Sequence, residues 1–168
     1  SKSSFFAIEP DRPFNIGDIR VEAFSIPHDA ADPVSYTFES EGAKIGIATD
    51  LGCYDDMIVH SLENSDLLYL EANHDIRMLQ AGPYPYPLKQ RILGSRGHLC
   101  NEMAGKLVAL LRNKHLKHVI LGHLSKENNY PDLALQTVLL EAFSEPAKED
   151  QPEVFVAPRD EASALVTI

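Results

Sequence analysis

Three residues that could bind a metal ion each stand after an apolar run. They are His28, Asp50 and His123, which follow the runs at residues 19–26, 43–48 and 119–121. A buried β-strand places its last side chains at the rim of the sheet, where open sheets carry their ligands. Imidazole and carboxylate together suit Zn²⁺, Mn²⁺ or Fe²⁺. The spacing therefore predicts one metal site to which three strand ends contribute.

The elements that would position these residues can be predicted from periodicity. Alternating apolar and polar side chains predict strands at residues 19–24, 34–40 and 44–49, the last two joined by a tight turn. Shorter runs predict strands at 67–70, 118–121, 153–156 and 164–168, and residues 1–6 resemble the start of another. Helical spacing predicts helices at 55–62, 101–111 and 131–143, with a rigid proline-rich loop at 82–87 and a charged linker at 144–151. The mixture predicts one α/β domain over residues 1–168.

Composition excludes some classes of protein. With 168 residues, 44% of them hydrophobic and 24% charged, the chain has the make-up of a globular domain with a core. No apolar run approaches the roughly 20 residues of a membrane helix, and no signal segment opens the sequence. Cys53 and Cys100 form no CxxC pair. We expect reduced thiols in a cytoplasmic protein with no membrane partner.

The charge pattern restricts any contact with nucleic acid to a small area. A net charge of −10 argues against a broad nucleic-acid-binding surface. Residues 88–98, however, carry Lys89, Arg91 and Arg96 and no acid. These three cations are candidates for clamping phosphates. A solvated face of the protein is the alternative interpretation of the same pattern.

Several short motifs together resemble one family. Pro27-His28, Ala48-Thr49-Asp50 and the segment 121–125 resemble the third, fourth and fifth metal motifs of the metallo-β-lactamase fold. The segments 70–75 (LEANHD), 82–85 (GPYP), 88–92 (LKQRI) and 97–101 (GHLCN) resemble its WalJ/YycJ-type branch, which contains metal-dependent nucleases related to tRNase Z. The motifs occur in the family's order and extend over about residues 14–143. The resemblance implies an α/β metallo-β-lactamase fold, an αββα sandwich.

One departure from the family pattern is large. The family's strongest motif, HxHxDH, supplies most ligands of its two-metal site and occurs nowhere in this sequence. In the family this motif precedes every segment seen here. We therefore expect this chain to be the C-terminal part of an incomplete fold, with the missing N-terminal segment as its partner. Such a half would expose apolar surface and a sheet edge.

The resemblance also implies a division of labour among the metal ligands. Asp50 would bridge two divalent ions, Zn²⁺ or Mn²⁺, because a carboxylate has an oxygen for each. His28 would complete the coordination of one ion, and His123 would complete that of the other. Two metals about 3.5–4 Å apart hold a bridging hydroxide as nucleophile and neutralise charge on a phosphodiester. Each of the three residues could instead be an ordinary polar strand-end residue.

Two further residues resemble the general-acid pair of tRNase Z-like enzymes. His98 follows Gly97 before a helix, and Glu71 lies in the segment matching the family's acidic motif. The resemblance implies that they protonate the leaving oxygen; the alternative for His98 is a bond to the helix backbone. His74 could contact substrate phosphate or metal, or serve structure alone.

We expect a metal-dependent phosphodiesterase, most simply a 5′-to-3′ exonuclease acting on DNA. The same fold hydrolyses small esters, thioesters and lactones, which makes such a substrate the first alternative. The second alternative is not enzymatic: without HxHxDH, the chain would be an inactive half that only binds its partner segment. The basic segment 88–98 favours a phosphate substrate over the smaller ones. Metal-dependent activity restored by the missing segment would distinguish the phosphodiesterase from the inactive half.

Overall fold

The computed structural model describes residues 6–143 and 151–168. Within these residues, seven strands form one sheet, and their spatial order equals their order along the chain. The strands are β1 (Phe14–Ile16), β2 (Ile19–Ser25), β3 (Val34–Ser40), β4 (Ala43–Ala48), β5 (Leu67–Glu71), β6 (His118–Gly122) and β7 (Glu153–Val156).

The sheet changes from antiparallel to parallel at β4. Strands β1 to β4 pair with antiparallel neighbours, whereas β4 to β7 are all parallel. Glu41 and Gly42 join β3 to β4, both with left-handed φ angles of 52° and 82°. That conformation suits the twist of a two-residue hairpin. Because parallel strands cannot be joined by so short a turn, each later connection crosses over through helices.

In the described part of the chain, these crossovers contain five helices. They are α1 (Asp56–Leu62), α2 (Ile76–Ala81), α3 (Tyr86–Leu93), α4 (Asn101–Leu111) and α5 (Pro131–Ala142). The carboxylate of Asp55 accepts the Ile58 amide and so caps α1, and Asp75 caps α2 in the same way through Met78. None of the helices in the described residues has the length and apolar character needed to cross a membrane.

The core lies between one face of the sheet and the helices. Its strand residues include Leu68, Leu70, Val119 and Leu121, which pack with Leu107 and Val108 of α4 and Val138 of α5. Gly105 permits α4 to lie close to α5, since a Cβ at that position would lie 2.5 Å from the Cβ of Glu141. This layer fixes the carboxyl ends of the parallel strands.

The other face of the sheet carries a row of large apolar side chains. Residues paired across strands point to the same face, and the pairing register places in one row Tyr36, Ile47, Tyr69, Ile120 and Phe155. All but Ile120 are only half-buried. None of these five belongs to the core beneath the helices. The sheet therefore has a continuous apolar face opposite its helical layer.

Most predicted elements are confirmed, with three differences. One is strand β1, Phe14–Ile16, which was not predicted. Helices α2 and α3 were not predicted, and α3 begins at Tyr86 inside the segment expected to be a rigid loop. Proline is tolerated in a first helical turn because the amide it lacks has no partner there, and Pro87 occupies such a position. The strand predicted at 164–168 is wrong, since those residues form no ladder. Residues 1–5, and 144–150 of the expected linker, lie outside the described residues.

Candidate metal centre

Asp50 occupies the centre of the site. It follows β4 and has a left-handed φ of 58°, a backbone conformation that aspartate tolerates better than most residues. Its Oδ1 lies 3.7 Å from His28 Nε2, 3.7 Å from His98 Nδ1 and 3.8 Å from His123 Nδ1. One carboxylate oxygen thus faces three imidazole rings from three different parts of the chain.

The backbone fixes which nitrogen of His28 is available. Its Nδ1 lies 3.0 Å from the carbonyl oxygen of Gly97. Because a carbonyl can only accept, Nδ1 must carry the proton, and Nε2 of the neutral ring keeps its lone pair. That lone pair belongs to the nitrogen nearer Asp50. A backbone carbonyl behind a histidine is a common arrangement in metal sites.

Glu71 orients two of the other histidines. It ends β5 and is fully buried, and its Oε1 lies 2.8 Å from His98 Nδ1 and 2.7 Å from His123 Nδ1. Its Oε2 accepts the Leu51 amide at 2.8 Å. Burial would raise the pKa of Glu71, but hydrogen bonds from His123, His98 and that amide outweigh it and lower the pKa. Glu71 is therefore an ionised acceptor that holds both rings with Nδ1 protonated.

The contact between Glu71 and His123 was not foreseen. His123 follows β6 and, like Asp50, has a left-handed φ, here 55°. The hydrogen bond to Glu71 raises the pKa of His123 against the opposing effect of burial. The register of β5 on β6, which pairs Glu71 with Gly122, brings the two side chains together. Sequence offers only one signal for it, the position of both residues at the ends of apolar runs.

The donor set fits a divalent metal ion. Asp50, Glu71, His98 and His123 each offer one ligand atom, and these four atoms lie within 4.8 Å of one another. The rings of His28 and His98 are 5.2 Å apart between centroids, and those of His98 and His123 are 5.3 Å apart. Carboxylates with imidazoles are the donors that Zn²⁺ and Mn²⁺ accept. The structure thus brings together all five predicted metal and catalytic residues.

His74 is placed differently from the prediction. Its side chain is 1% exposed, and neither ring nitrogen has a hydrogen-bond partner among the described residues. Burial lowers its pKa to about 4. A side chain sealed from solvent offers no surface to a substrate. The substrate-binding role expected for His74 therefore does not fit its position behind the site.

The three predicted phosphate clamps already have partners within the chain. Arg91 forms a two-pronged ion pair with Asp29, and the hydrogen bond from Arg91 lowers the pKa of Asp29 to about 2. Lys89 donates to the carbonyl of Gln80, and Arg96 donates to that of His28. Arg91 lines the cleft at the site, whereas Lys89 and Arg96 do not; Arg96 instead fixes the backbone of a metal-ligand candidate.

A cleft of about 380 Å³ opens beside His98 and His123. Its lining also includes Tyr84, Arg91, Ser125, Lys126 and Arg159. Sequence reasoning did not single out Lys126 or Arg159. Lys126 follows His123 by three residues, but Arg159 comes from the segment after β7, and no spacing connects it to the metal motifs.

Buried asparagines hold the loops that carry the site. Asn73 donates its side-chain amide to the carbonyl of His123 at 2.8 Å. Asn129 donates to the carbonyls of Ala72 and Asn73 and pairs with the side chain of Asn101 in both directions. The loop after β5 is thereby joined to the loop after β6. Neither Asn101 nor Asn129 was predicted to serve the site.

Comparison with known proteins identifies related sequences. Residues 2–123 match the family model of the beta-lactamase superfamily domain. The chain is 40% identical to the exodeoxyribonuclease YycJ of Bacillus anthracis over 122 residues, and 41% identical to the exodeoxyribonuclease WalJ of Streptococcus pneumoniae over 123 residues. Each alignment covers 73% of this chain and 46% of the relative. The chain thus spans about half the length of these curated relatives.

Solved structures show the same fold. The metallo-beta-lactamase fold protein YhfI from Bacillus subtilis superposes with a TM-score of 0.64 at 21% identity, over 90% of this chain and 52% of that one. Zn²⁺-bound PqqB from Methylobacterium extorquens superposes with a TM-score of 0.56 at 18% identity, over 94% of this chain and 55% of that one. The expected fold class is confirmed, and the chain belongs to the beta-lactamase superfamily domain family, with the metallo-β-lactamase fold.

Proposed function

We propose that this chain carries the C-terminal part of the active site of a metal-dependent DNA nuclease. The observation that carries the proposal is the convergence of three imidazoles on one oxygen of Asp50. Two relatives at 40% and 41% identity are named exodeoxyribonucleases, which supports DNA as substrate. The cations Lys126 and Arg159 in the adjoining cleft suit a polyanion.

The residues divide into ligands and groups that orient them. His28, Asp50 and His123 would hold divalent metal, Zn²⁺ or Mn²⁺, each imidazole through the ring nitrogen that its hydrogen bond leaves free. Bound there, the metal would supply a nucleophile from water at neutral pH and neutralise charge on the phosphodiester. Gly97 fixes the tautomer of His28, and Glu71 fixes that of His123. Such outer partners orient ligands and raise their basicity.

His98 is the proposed general acid. Its Nδ1 donates to the buried carboxylate of Glu71, so Nε2 is the nitrogen left to exchange a proton with the leaving oxygen of the substrate. His98 lines the cleft and is partly exposed. Because one carboxylate oxygen contacts both His98 and His123, Glu71 couples the proposed acid to a proposed metal ligand.

We further propose that a segment carrying the HxHxDH motif completes the centre. His28, Asp50 and His123 are too few ligands for two ions, because a zinc ion alone takes four. The apolar face with Tyr36, Ile47, Tyr69, Ile120 and Phe155 offers a second sheet a surface on which to pack.

The free thiols of Cys53 and Cys100 favour a reducing compartment such as the cytoplasm.

The test is nuclease activity of the chain with and without the HxHxDH segment. DNA labelled at either the 5′ or the 3′ end is incubated with Zn²⁺ or Mn²⁺, and parallel samples receive a chelator. We expect metal-dependent release of 5′-terminal nucleotides when the segment is present. Asp18→Ala, a change of an exposed acid, is the control that should retain activity.

Other results would favour the alternatives. Hydrolysis of a thioester or lactone without cleavage of DNA would replace the nuclease proposal. A folded, metal-loaded complex that cleaves none of these substrates would contradict an enzymatic role and favour a partner-binding half.

A further inference from the structure

A second groove adjoins the cleft beside His98 and His123. This groove, of about 390 Å³, lies between the loop at 124–131 and the segment at 156–159. It shares four lining residues with the cleft: Leu124, Ser125, Lys126 and Arg159. A third, smaller cavity is lined by both His123 and Arg159. The three openings therefore adjoin one another at Leu124 and Arg159, which line all of them.

Two cations stand where the cleft and the groove meet. Lys126 and Arg159 are exposed, and within the ranges 6–143 and 151–168 neither has an acidic side chain at ion-pair distance. Arg159 donates one guanidinium hydrogen to the carbonyl of Leu124 at 2.6 Å. This bond holds the charge against the loop that follows His123 and leaves the other N–H groups of Arg159 to bind an anion.

Lys126 and Arg159 differ from the predicted clamps either in pairing or in position. The charge of Arg91 is compensated by Asp29, and Lys89 and Arg96 do not line the cleft. In a chain with a net charge of −10, positive charge held next to the site without an acidic partner attracts an anion locally. The phosphate next to the reacting phosphodiester is such an anion.

The far end of the groove is apolar and carries an exposed ring. Tyr130 is 51% exposed, and it precedes α5 without using its side chain as a cap. The groove is also lined there by Pro131, Val156 and Pro158. The Tyr130 amide is bound by the side chain of Asn129, which fixes the backbone that carries the ring. An exposed, anchored aromatic ring beside two cations is the composition of a nucleotide site, where bases stack and phosphates pair.

We propose that this groove is a nucleotide subsite in which Lys126 and Arg159 bind a backbone phosphate and Tyr130 stacks on the base. The proposal rests on the proposed nuclease function and adds to it the residues that hold the strand beside the reacting bond. All three residues lie beyond the 2–123 stretch that matches the family model. The subsite therefore uses a part of the chain that this match does not assign.

The experiment measures binding apart from hydrolysis. A single-stranded thymidine oligonucleotide of about ten nucleotides, with phosphorothioate linkages that resist cleavage, is titrated with the metal-loaded protein at several salt concentrations. Lys126→Ala and Arg159→Ala should each weaken binding about tenfold, as expected for a lost hydrogen bond to a charged group. Each should also reduce the slope of log K against log salt by about 0.7. Lys106→Ala, an exposed cation on α4, should change neither quantity.

The role of Tyr130 is tested with two variants, only one of which removes the aromatic ring. Tyr130→Ala should weaken binding about tenfold with the salt slope unchanged, because stacking involves no phosphate. Tyr130→Phe keeps the ring and should bind like wild type. A change in folding alone would affect both variants, whereas loss of stacking affects only the first.

The outcomes separate the subsite from the nuclease function. Wild-type affinity in Lys126→Ala and Arg159→Ala, in a protein that still cleaves DNA, overturns the subsite and leaves the function intact. Binding that depends on these residues in a protein that cleaves no DNA supports the subsite and overturns the function. Absence of any oligonucleotide binding by wild-type protein overturns both.

Discussion

Two of the proposed ligands share an uncommon backbone conformation. Asp50 and His123 both have φ near +55° to +60°, a region that side chains other than glycine seldom occupy. Each comes just after a strand of the parallel half of the sheet, β4 for Asp50 and β6 for His123. Strained residues of this kind gather at functional sites, where the surrounding structure holds them in place. Here the strong interstrand ladder of β4, β5 and β6 supplies that support.

The charge of Glu71 should strengthen metal binding by holding two histidines in place. Glu71→Gln keeps the size of the side chain but removes the charge that holds His98 and His123. We expect zinc affinity to fall about 10- to 100-fold, the range for loss of an outer partner of a metal ligand. Competition with a chromophoric chelator measures it. Glu63→Gln, at an exposed position after α1, is the control, and an unchanged affinity in Glu71→Gln would refute the assigned role.

His74 predicts a pH dependence of stability. Burial lowers its pKa from 6.5 to about 4, so between these values the unfolded chain binds a proton that the folded chain does not. Stability therefore falls as the pH drops from 6.5 towards 4 and levels off below. The total loss is about 3 kcal/mol, at about 1.4 kcal/mol for each tenfold change in proton affinity.

Urea unfolding at several pH values, with a chelator present, measures this loss. His74→Gln cannot titrate, and its stability should depend less on pH across that window, whatever its stability at pH 7. His60→Gln removes an exposed histidine and should behave as wild type. Equal pH dependence in His74→Gln and wild type would contradict a neutral, buried His74.

At the scale of elements, the loops after β5 and β6 depend on one buried side chain. Asn129 is 6% exposed and binds the carbonyls of Ala72 and Asn73. Asn129→Ala removes a hydrogen-bond partner from these two buried carbonyls and from the side chain of Asn101. A buried polar group left without a partner lowers the unfolding free energy by about 1–3 kcal/mol. We expect a total loss of about 2–3 kcal/mol in unfolding free energy and reduced metal affinity. Asn15→Ala, on the exposed edge strand β1, should lose neither, and a fully stable Asn129→Ala would refute the anchoring role.

The parts of the site that could be predicted are those at the ends of strands. An apolar run that stops abruptly marks the strand and the residues after it together, which is why His28, Asp50 and His123 could be placed from sequence. Glu71 and His98 followed from motifs that resemble a family. Their mutual distances could not be predicted, because they depend on the register of β5 on β6 and on the path of the loop that ends at Gly97.

The parts that could not be predicted depend on tertiary contacts. Helix α2 has only six residues, too few for a hydrophobic period to show. The alternation at 164–168 resembles a strand, but a strand also needs a neighbouring strand to pair with. In the described part of the chain, β7 is the last strand of the sheet and pairs only with β6, so residues 164–168 do not extend the sheet. Arg159 reaches the site because β7 returns the chain beside β6. No local pattern carries that information.

At the scale of the whole molecule, the apolar face of the sheet gives a further prediction. Ile47 lies in the middle of the row formed with Tyr36 and Tyr69. Ile47→Glu should weaken association with the HxHxDH segment by at least about tenfold, because burying an isoleucine side chain contributes about 1.5–3 kcal/mol. In the chain alone, the same change should reduce binding of a hydrophobic dye.

Co-purification and dye fluorescence measure these two effects. Leu140→Glu places the same charge on an exposed residue of α5 and should leave the association intact. Unimpaired association in Ile47→Glu would show that the second segment does not pack on this face.

The metal content of the complete site tests the central claim most directly. Elemental analysis of gently purified protein, with the HxHxDH segment present, is compared for wild type, Asp50→Asn and Asp18→Ala. Asparagine tolerates the left-handed backbone of position 50 but lacks the charge that would bridge two ions. We predict two zinc or manganese ions per complex in wild type and Asp18→Ala, and about one ion or fewer in Asp50→Asn, because a ligand available to both ions is lost. A wild-type complex without metal, or Asp50→Asn with its full complement, would contradict a metal centre organised around Asp50.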